Sequence, residues 1–257
     1  MKFLIKKTYI IFFLLIIISS ESLVIARENN IQYNKKDISN YFSGIISINQ
    51  DYNNKEAFKY LGDIKSIHNI HSQYNIEFLR TLVLLGKFKQ ANNFSKKVWS
   101  ENELFFEADL LLGLNSFLKR DYKNAEKYFK RLNKISQYNF VFDNFIGNVL
   151  IAWIKASQGK EEESYRFIEK IPNIYNQVTR TQNIFLQCYF DNVSAQKALE
   201  ELIGNKDYNF SRYNFFLINY LLSKNKINEA KKIIKLSRER HSSNLLLKQT
   251  EFFFQNS

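Results

Sequence analysis

The chain has 257 residues, of which 45% are apolar, so it can bury the core of one large domain or two smaller ones. It contains one proline and seven glycines. All-β folds need turn residues every 8–12 positions or so, and this scarcity therefore favours helices joined by short connections. The formal net charge is +12. Lysine and arginine alternate with acidic residues throughout the chain, a distribution that argues against nucleic acid as the partner.

Residues 1–26 have the pattern of a secretory signal peptide. A basic segment, an apolar segment and a small-residue cleavage motif follow one another: Lys2 to Lys7, Tyr9 to Ile18 and Val24 to Ala26. We therefore expect an exported, periplasmic protein in which residues 27–39 form a linker. If the segment is not cleaved, it would anchor the protein in the inner membrane, facing the periplasm. This alternative stays open.

Two amphipathic segments separated by a short polar turn lie between Ala108 and Leu132. In the second, Ala125, Phe129 and Leu132 are spaced i, i+4 and i+7, which places them on one helical face. Gly113 and Ala125 are small where two antiparallel helices would cross. The sequence therefore predicts a helical hairpin in which these two residues allow a close approach.

The same spacing recurs along the chain. Ala57, Ala91 and Ala125 are each 34 residues apart. Ser164 follows after 39 residues, Ala198 after a further 34 and Ala230 after 32. Repeats of this length are typical of stacked helical hairpins. Small residues are thus predicted to pack at the helix crossings: Ala57, Ala91, Gly113, Ala125, Ser164, Ala198 and Ala230.

The hairpin resembles the tetratricopeptide repeat (TPR). The leucine-glycine pair, the turn aromatic, the close-packing alanine and the second aromatic are matched by Leu112, Gly113, Tyr122, Ala125 and Phe129. Ser116 and Leu132 depart from the pattern, which usually has an aromatic residue and an alanine there. The resemblance implies an all-α, right-handed superhelical solenoid of five or six degenerate repeats over residues 40–257, closed by a C-terminal capping helix.

The resemblance also implies that the first helix of each repeat lines a concave groove that binds a protein or peptide. The groove positions that it marks are Arg80, Leu114, Phe117, Trp153, Phe215 and Asn219. Trp153 is the strongest candidate, because tryptophan is over-represented among residues that dominate binding energy. A core also requires apolar residues at helical spacing, so a core role stays open for these residues.

The interaction class that follows is a protein-protein scaffold or adaptor in the bacterial cell envelope. The alternative is a membrane-anchored envelope-assembly component that contacts anionic lipid headgroups. Both hypotheses expect binding and not catalysis.

No sequence pattern indicates an enzyme, a cofactor or a metal site. Phosphate-binding, dinucleotide-binding and serine-hydrolase glycine motifs are missing, as is the HExxH pattern. His68 and His71 lie on one helical face, but no third ligand accompanies them. Cys188, the single cysteine, is expected to be a small buried residue.

Overall fold

The computed structural model describes residues 34–51, 53–64, 67, 71–135, 144–205 and 209–255. Within these ranges the chain forms thirteen α-helices and one 3-10 helix, without a β-strand. The predicted all-α fold class is confirmed. The predicted signal peptide and most of the predicted linker lie outside the described residues. None of the helices in the described ranges is long and apolar enough to cross a membrane.

The helices follow one another with short connections. In chain order they are α1 (Lys35–Asp51), α2 (Asn54–Gly62), α3 (Ser72–Leu84), α4 (Phe88–Val98), α5 (Phe106–Leu118), α6 (Tyr122–Leu132), α7 (Ile146–Ser157), α8 (Glu161–Glu169), the 3-10 helix Asn173–Tyr175, α9 (Asn176–Tyr189), α10 (Ala195–Gly204), α11 (Ser211–Ser223), α12 (Ile227–Arg240) and α13 (Leu245–Gln255). Helix α1 thus begins within the range that the sequence assigned to the linker.

The chain divides into two compact units, Met1–Tyr74 and Asn75–Ser257. In the first unit α1 packs against α2. A Cβ atom added to Gly44 would lie 2.6 Å from Cδ2 of Leu61, so glycine is what allows this approach. Ala57 and Leu61 of α2 are fully buried.

The second unit is a series of helical hairpins, α3/α4 to α11/α12, followed by α13. We call the first helix of each hairpin the A helix and the second the B helix. From α4 onward, each helix packs against the next. This order of contacts is that of a solenoid, in which every hairpin buries its apolar face against its neighbours.

The turns between A and B helices share one geometry. Each A helix is followed by a residue with a φ between 55° and 74°, in the left-handed region: Gly86, Arg120, Gly159, Asp191 and Asn225. The N–H of the next residue then donates to the carbonyl five positions earlier, as Asp121 does to Ser116 at 2.9 Å. This is the Schellman motif, which satisfies carbonyls that the end of a helix leaves unpaired.

Most of the small residues at predicted helix crossings are buried. Ala57, Ala91, Ala125, Ser164 and Ala230 are fully buried. At Gly113 an added Cβ atom would lie 2.2 Å from Cε1 of Phe129, so the aromatic ring occupies the space beside the glycine.

The hairpin α9/α10 differs from the expected register. Ala198 is only half-buried, whereas Ala195 is fully buried. Two extra residues, Val193 and Ser194, lengthen the turn before α10. Ala195 and Leu199 of α10 face the core.

A buried ion pair connects α5 and α6. The carboxylate of Asp109 is inaccessible to solvent and accepts a hydrogen bond from Nε of Arg131 at 2.8 Å. Trp99 Nε1 donates to the same oxygen at 2.8 Å. Burial raises the pKa of Asp109, and the hydrogen bonds from Trp99 and Arg131 offset this only in part. The guanidinium also donates to three carbonyls of the α4–α5 connection: Ser100, Glu101 and Glu103.

A second charged cluster ties three consecutive helices together. Lys155 on α7 lies 2.8 Å from Glu126 on α6 and 3.4 Å from Glu163 on α8. Burial acts to raise the pKa of Glu126, but its hydrogen bonds and charge interactions with Lys130 and Lys155 outweigh this effect, so the pKa is lowered.

Candidate functional site

An open pocket with a volume of about 530 Å³ lies between the A helices α9 and α11. We call it the aromatic pocket. Its α9 wall is formed by residues spaced three or four apart, which places them on one side of the helix. The lining residues are Gln177, Val178, Thr181, Gln182, Phe185, Phe210, Arg212, Tyr213 and Phe216.

Four aromatic rings form the apolar surface of this pocket. The rings of Phe185 and Phe216 are 4.6 Å apart between centroids, and those of Phe185 and Tyr213 are 5.9 Å apart. Phe210 meets Tyr213 edge-on at 5.6 Å. Such tilted and edge-to-face contacts are favourable for aromatic pairs and hold the rings in defined orientations. The apolar surface of the pocket therefore consists of aromatic rings that hold one another in position.

Polar side chains, including Arg212, Gln177 and Gln182, accompany the rings in the lining. Arg212 is the one charged residue of the described lining, and its guanidinium lies 5.0 Å from the ring centroid of Phe210 and 5.1 Å from that of Tyr213. The Oε1 atom of Gln177 is buried and has no hydrogen-bond partner within the described part of the chain. Gln182 accepts a hydrogen bond from Trp153. A cation thus borders the apolar cavity, and a buried acceptor without a described partner lies in its wall.

The structure places Trp153 next to this pocket. Its indole N–H donates to Oε1 of Gln182 at 2.7 Å. The ring is half-buried, packs against the core cluster that includes Ile168 and Leu186, and meets Tyr189 edge-on at 5.8 Å. Trp153 therefore supports the pocket through Gln182.

The two predicted groove residues on α11 do not line the pocket. Phe215 is half-buried and packs against the C-terminal core cluster, and the next residue, Phe216, lines the pocket in its place. Asn219 is exposed, and its Nδ2 donates to the carbonyl of Phe215 at 2.8 Å.

The remaining predicted groove residues lie on α3 and α5. Arg80 forms an ion pair with Glu107 at 2.8 Å, which joins these two A helices. Leu114 is partly exposed. Phe117 is half-buried against the core cluster around Phe129. None of the three lines the aromatic pocket.

Sequence reasoning missed the residues that make the pocket, namely Phe185, Phe210, Arg212, Tyr213 and Phe216. They lie on α9 and on α11 with the residues just before it, and the repeat spacing did not mark them. A usable signal was present: Thr181, Phe185 and Tyr189 are spaced by four, as are Arg212 and Phe216.

Elsewhere in the described ranges, the side chains that could act as nucleophiles or metal ligands are buried or hydrogen-bonded. Burial raises the pKa of the Cys188 thiol to about 11, which keeps it protonated and unreactive. Nδ1 of His71 accepts a hydrogen bond from the backbone N–H of Tyr74 at 3.0 Å, and His68 lies outside the described residues. Within the described ranges, no three His, Cys, Asp or Glu side chains are grouped as metal ligands would be.

Comparison with known proteins identifies the fold. No protein-family model matches the sequence, and no curated protein matches it significantly. The crystal structure of a tetratricopeptide repeat protein from Parabacteroides merdae ATCC 43184 aligns with a TM-score of 0.61 at 16% sequence identity, over 99% of this chain and 98% of that one. The structure of Naa15/Naa10 bound to HypK-THB aligns over 86% of this chain and 39% of that one, at 12% identity, but its TM-score of 0.30 is too low to support an argument. Together with the order of helices and their shared turns, the first match shows that this chain has the fold of a tetratricopeptide-repeat solenoid.

Proposed function

We propose that the protein is a non-catalytic scaffold that binds a segment of another protein along its A helices. The aromatic pocket carries the proposal, because ligand sites are typically concave, largely apolar and bordered by a few polar groups. The pocket has all three properties: its volume of about 530 Å³, its four aromatic rings and the polar atoms of Gln177 and Arg212.

The lining defines the chemistry of the bound segment. An apolar side chain, aliphatic or aromatic, would pack on the rings of Phe185 and Phe216, which line the pocket. A neighbouring Asp or Glu would meet Arg212, whose stacking on two rings presents its N–H donors to a carboxylate. The preferred partner is therefore an extended peptide with an apolar residue beside an acidic one.

We further propose that the scaffold works in the bacterial cell envelope, on the periplasmic side. Support comes from the sequence of residues 1–26, with its basic segment, apolar segment and small-residue motif. N-terminal sequencing of the protein from its native cell tests this. A mature chain that starts at or near Arg27 supports export with cleavage, whereas retention of residues 1–26 indicates the anchored form.

Selection of random peptides displayed on phage tests the binding mode. We expect the recovered peptides to share an apolar residue within two positions of Asp or Glu. Binding of a labelled consensus peptide, measured by fluorescence anisotropy, should weaken by about 2–4 kcal/mol in Phe216→Ala, as at an interface hot spot. In Arg212→Ala it should weaken less and lose most of its dependence on salt.

The matched control is Leu236→Ala on the B helix α12. Leu236 is 41% exposed and Phe216 is 37% exposed, so the two substitutions remove similarly accessible apolar side chains. Equal losses of affinity in the two variants, or unchanged affinity in Phe216→Ala, would show that the aromatic pocket is not the site.

A further inference from the structure

Apolar side chains project from the turns between A and B helices. In an array of alternating antiparallel helices these turns all lie at the same edge, which in the second unit we call the hairpin edge. Residues that are two positions before or after the left-handed turn residue are exposed there, and Leu118 reaches 81%. The set comprises Leu84, Phe88, Leu118, Tyr189, Val193 and Ile227.

Cationic residues accompany these side chains. Lys119 and Arg120 follow Leu118 directly, are exposed and form no ion pair within the described residues. Lys224 and Lys226 flank Asn225 in the last turn and pair with Asp191 and Glu229, respectively. The acidic residues of the turns are Asp121, Glu161 and Asp191, of which Asp121 is used to cap α6.

We infer that the hairpin edge docks on an anionic lipid bilayer surface. Separate apolar tips can each enter the boundary between headgroups and acyl chains, where Leu and Phe partition favourably. Lysine and arginine at the same level then meet anionic headgroups. The exposed cations Lys119 and Arg120 beside these tips favour an anionic lipid surface over an apolar protein partner. This inference does not depend on the aromatic pocket, which lies between the A helices.

A polarity-sensitive fluorophore attached to the full chain tests the inference. Leu118→Cys provides the labelling position, because the native Cys188 is buried. Ile174→Cys is the matched control, since Ile174 is 78% exposed but lies in a connection from a B helix to the next A helix, at the opposite edge. Because the fluorophore reports the polarity at its own position, its emission shows lipid contact at the hairpin edge, whether or not residues 1–26 also bind lipid.

We expect emission at position 118 to shift to the blue with vesicles of phosphatidylcholine and phosphatidylglycerol, and not with phosphatidylcholine alone. Position 174 should stay unchanged. Adding Lys119→Glu to the labelled protein should lower the affinity of this transition by about tenfold. The inference is overturned by no shift at position 118, by equal shifts at both positions, by a shift that grows with protein concentration without vesicles, or by one produced by soluble polyglutamate and not by vesicles.

Discussion

The hairpin α5/α6 and the paired A helices α9 and α11 differ in how closely their helices pack. In α5/α6 the ring of Phe129 fills the space beside Gly113, and the buried Asp109–Arg131 pair joins the two helices. Between α9 and α11, the bulky rings of Phe185 and Phe216 pack against each other at a tilt and border an open volume of about 530 Å³. Residue size at these two contacts therefore sets how closely the helices approach each other.

The largest expected effect lies in the closed region. Asp109→Ala leaves the guanidinium of Arg131 buried without its carboxylate, and we expect a loss of about 3–5 kcal/mol in the free energy of unfolding. Urea unfolding followed by circular dichroism measures it. The double variant Asp109→Leu with Arg131→Met should lose less, because no unpaired charge stays buried. If the single variant is as stable as the double one, the ion pair does not hold this region closed.

The second largest loss of stability is expected at the crossing of α5 and α6. Gly113→Ala places a methyl group 2.2 Å from Cε1 of Phe129, and such overpacking should cost about 1–3 kcal/mol. Gly204→Ala is the control, since an added Cβ there meets no atom within 4 Å. This control should raise stability by about 0.4–1 kcal/mol by restricting the unfolded chain. Thermal unfolding of the two variants should therefore move in opposite directions.

A substitution in the open region should cost less stability. Phe216→Ala removes a ring that is 37% exposed at the rim of the pocket, and we expect a loss of about 1 kcal/mol. Phe129→Ala removes a ring that is 1% exposed and should cost about 3–5 kcal/mol. Equal losses in urea unfolding would mean that the two regions are packed alike, and the comparison would fail.

Acid should weaken the closed region through Glu126. Because its pKa is lower in the folded than in the unfolded state, its contribution is complete above the ordinary value of 4.5 and is lost as the pH falls below that value. Glu126→Gln should therefore show a shallower fall of stability in acid, by under about 1 kcal/mol. Glu162→Gln, in an ion pair whose carboxylate side chain is 86% exposed, is the control. If the free energy of unfolding fell equally steeply in acid for the parent and for Glu126→Gln, Glu126 would not be the source of the acid sensitivity.

The turns should give the smallest effect, because both regions share them. Arg120 has a φ of 61°, a conformation that costs L-residues energy but not glycine. Arg120→Gly should raise the free energy of unfolding by about 0.5 kcal/mol, the relief of strain being partly offset by unfolded-state entropy. Asn225→Gly should change it less, since asparagine tolerates this region. A destabilised Arg120→Gly would mean that its side chain contributes more than the turn geometry suggests.

Local pattern was enough to predict the fold class. The 34-residue spacing of Ala57, Ala91 and Ala125 and the apolar stripe of α6 predicted a solenoid of helical hairpins, because helical periodicity is written directly in the order of residues. The predicted register failed at α10, where Ala195 is fully buried in place of Ala198 and the preceding turn is two residues longer. Spacing alone does not reveal such a change.

The sequence by itself determined the fold class, the repeat and most of the small residues at the crossings, because helical periodicity and repeat spacing can be read directly from the order of residues. Only the tertiary structure decided which aromatic residues line a pocket, that Trp153 donates to Gln182, and that Asp109 and Arg131 meet. These contacts join residues 22 or more positions apart. Their geometry depends on how consecutive helices pack, and helix packing is set by the summed volumes of many side chains.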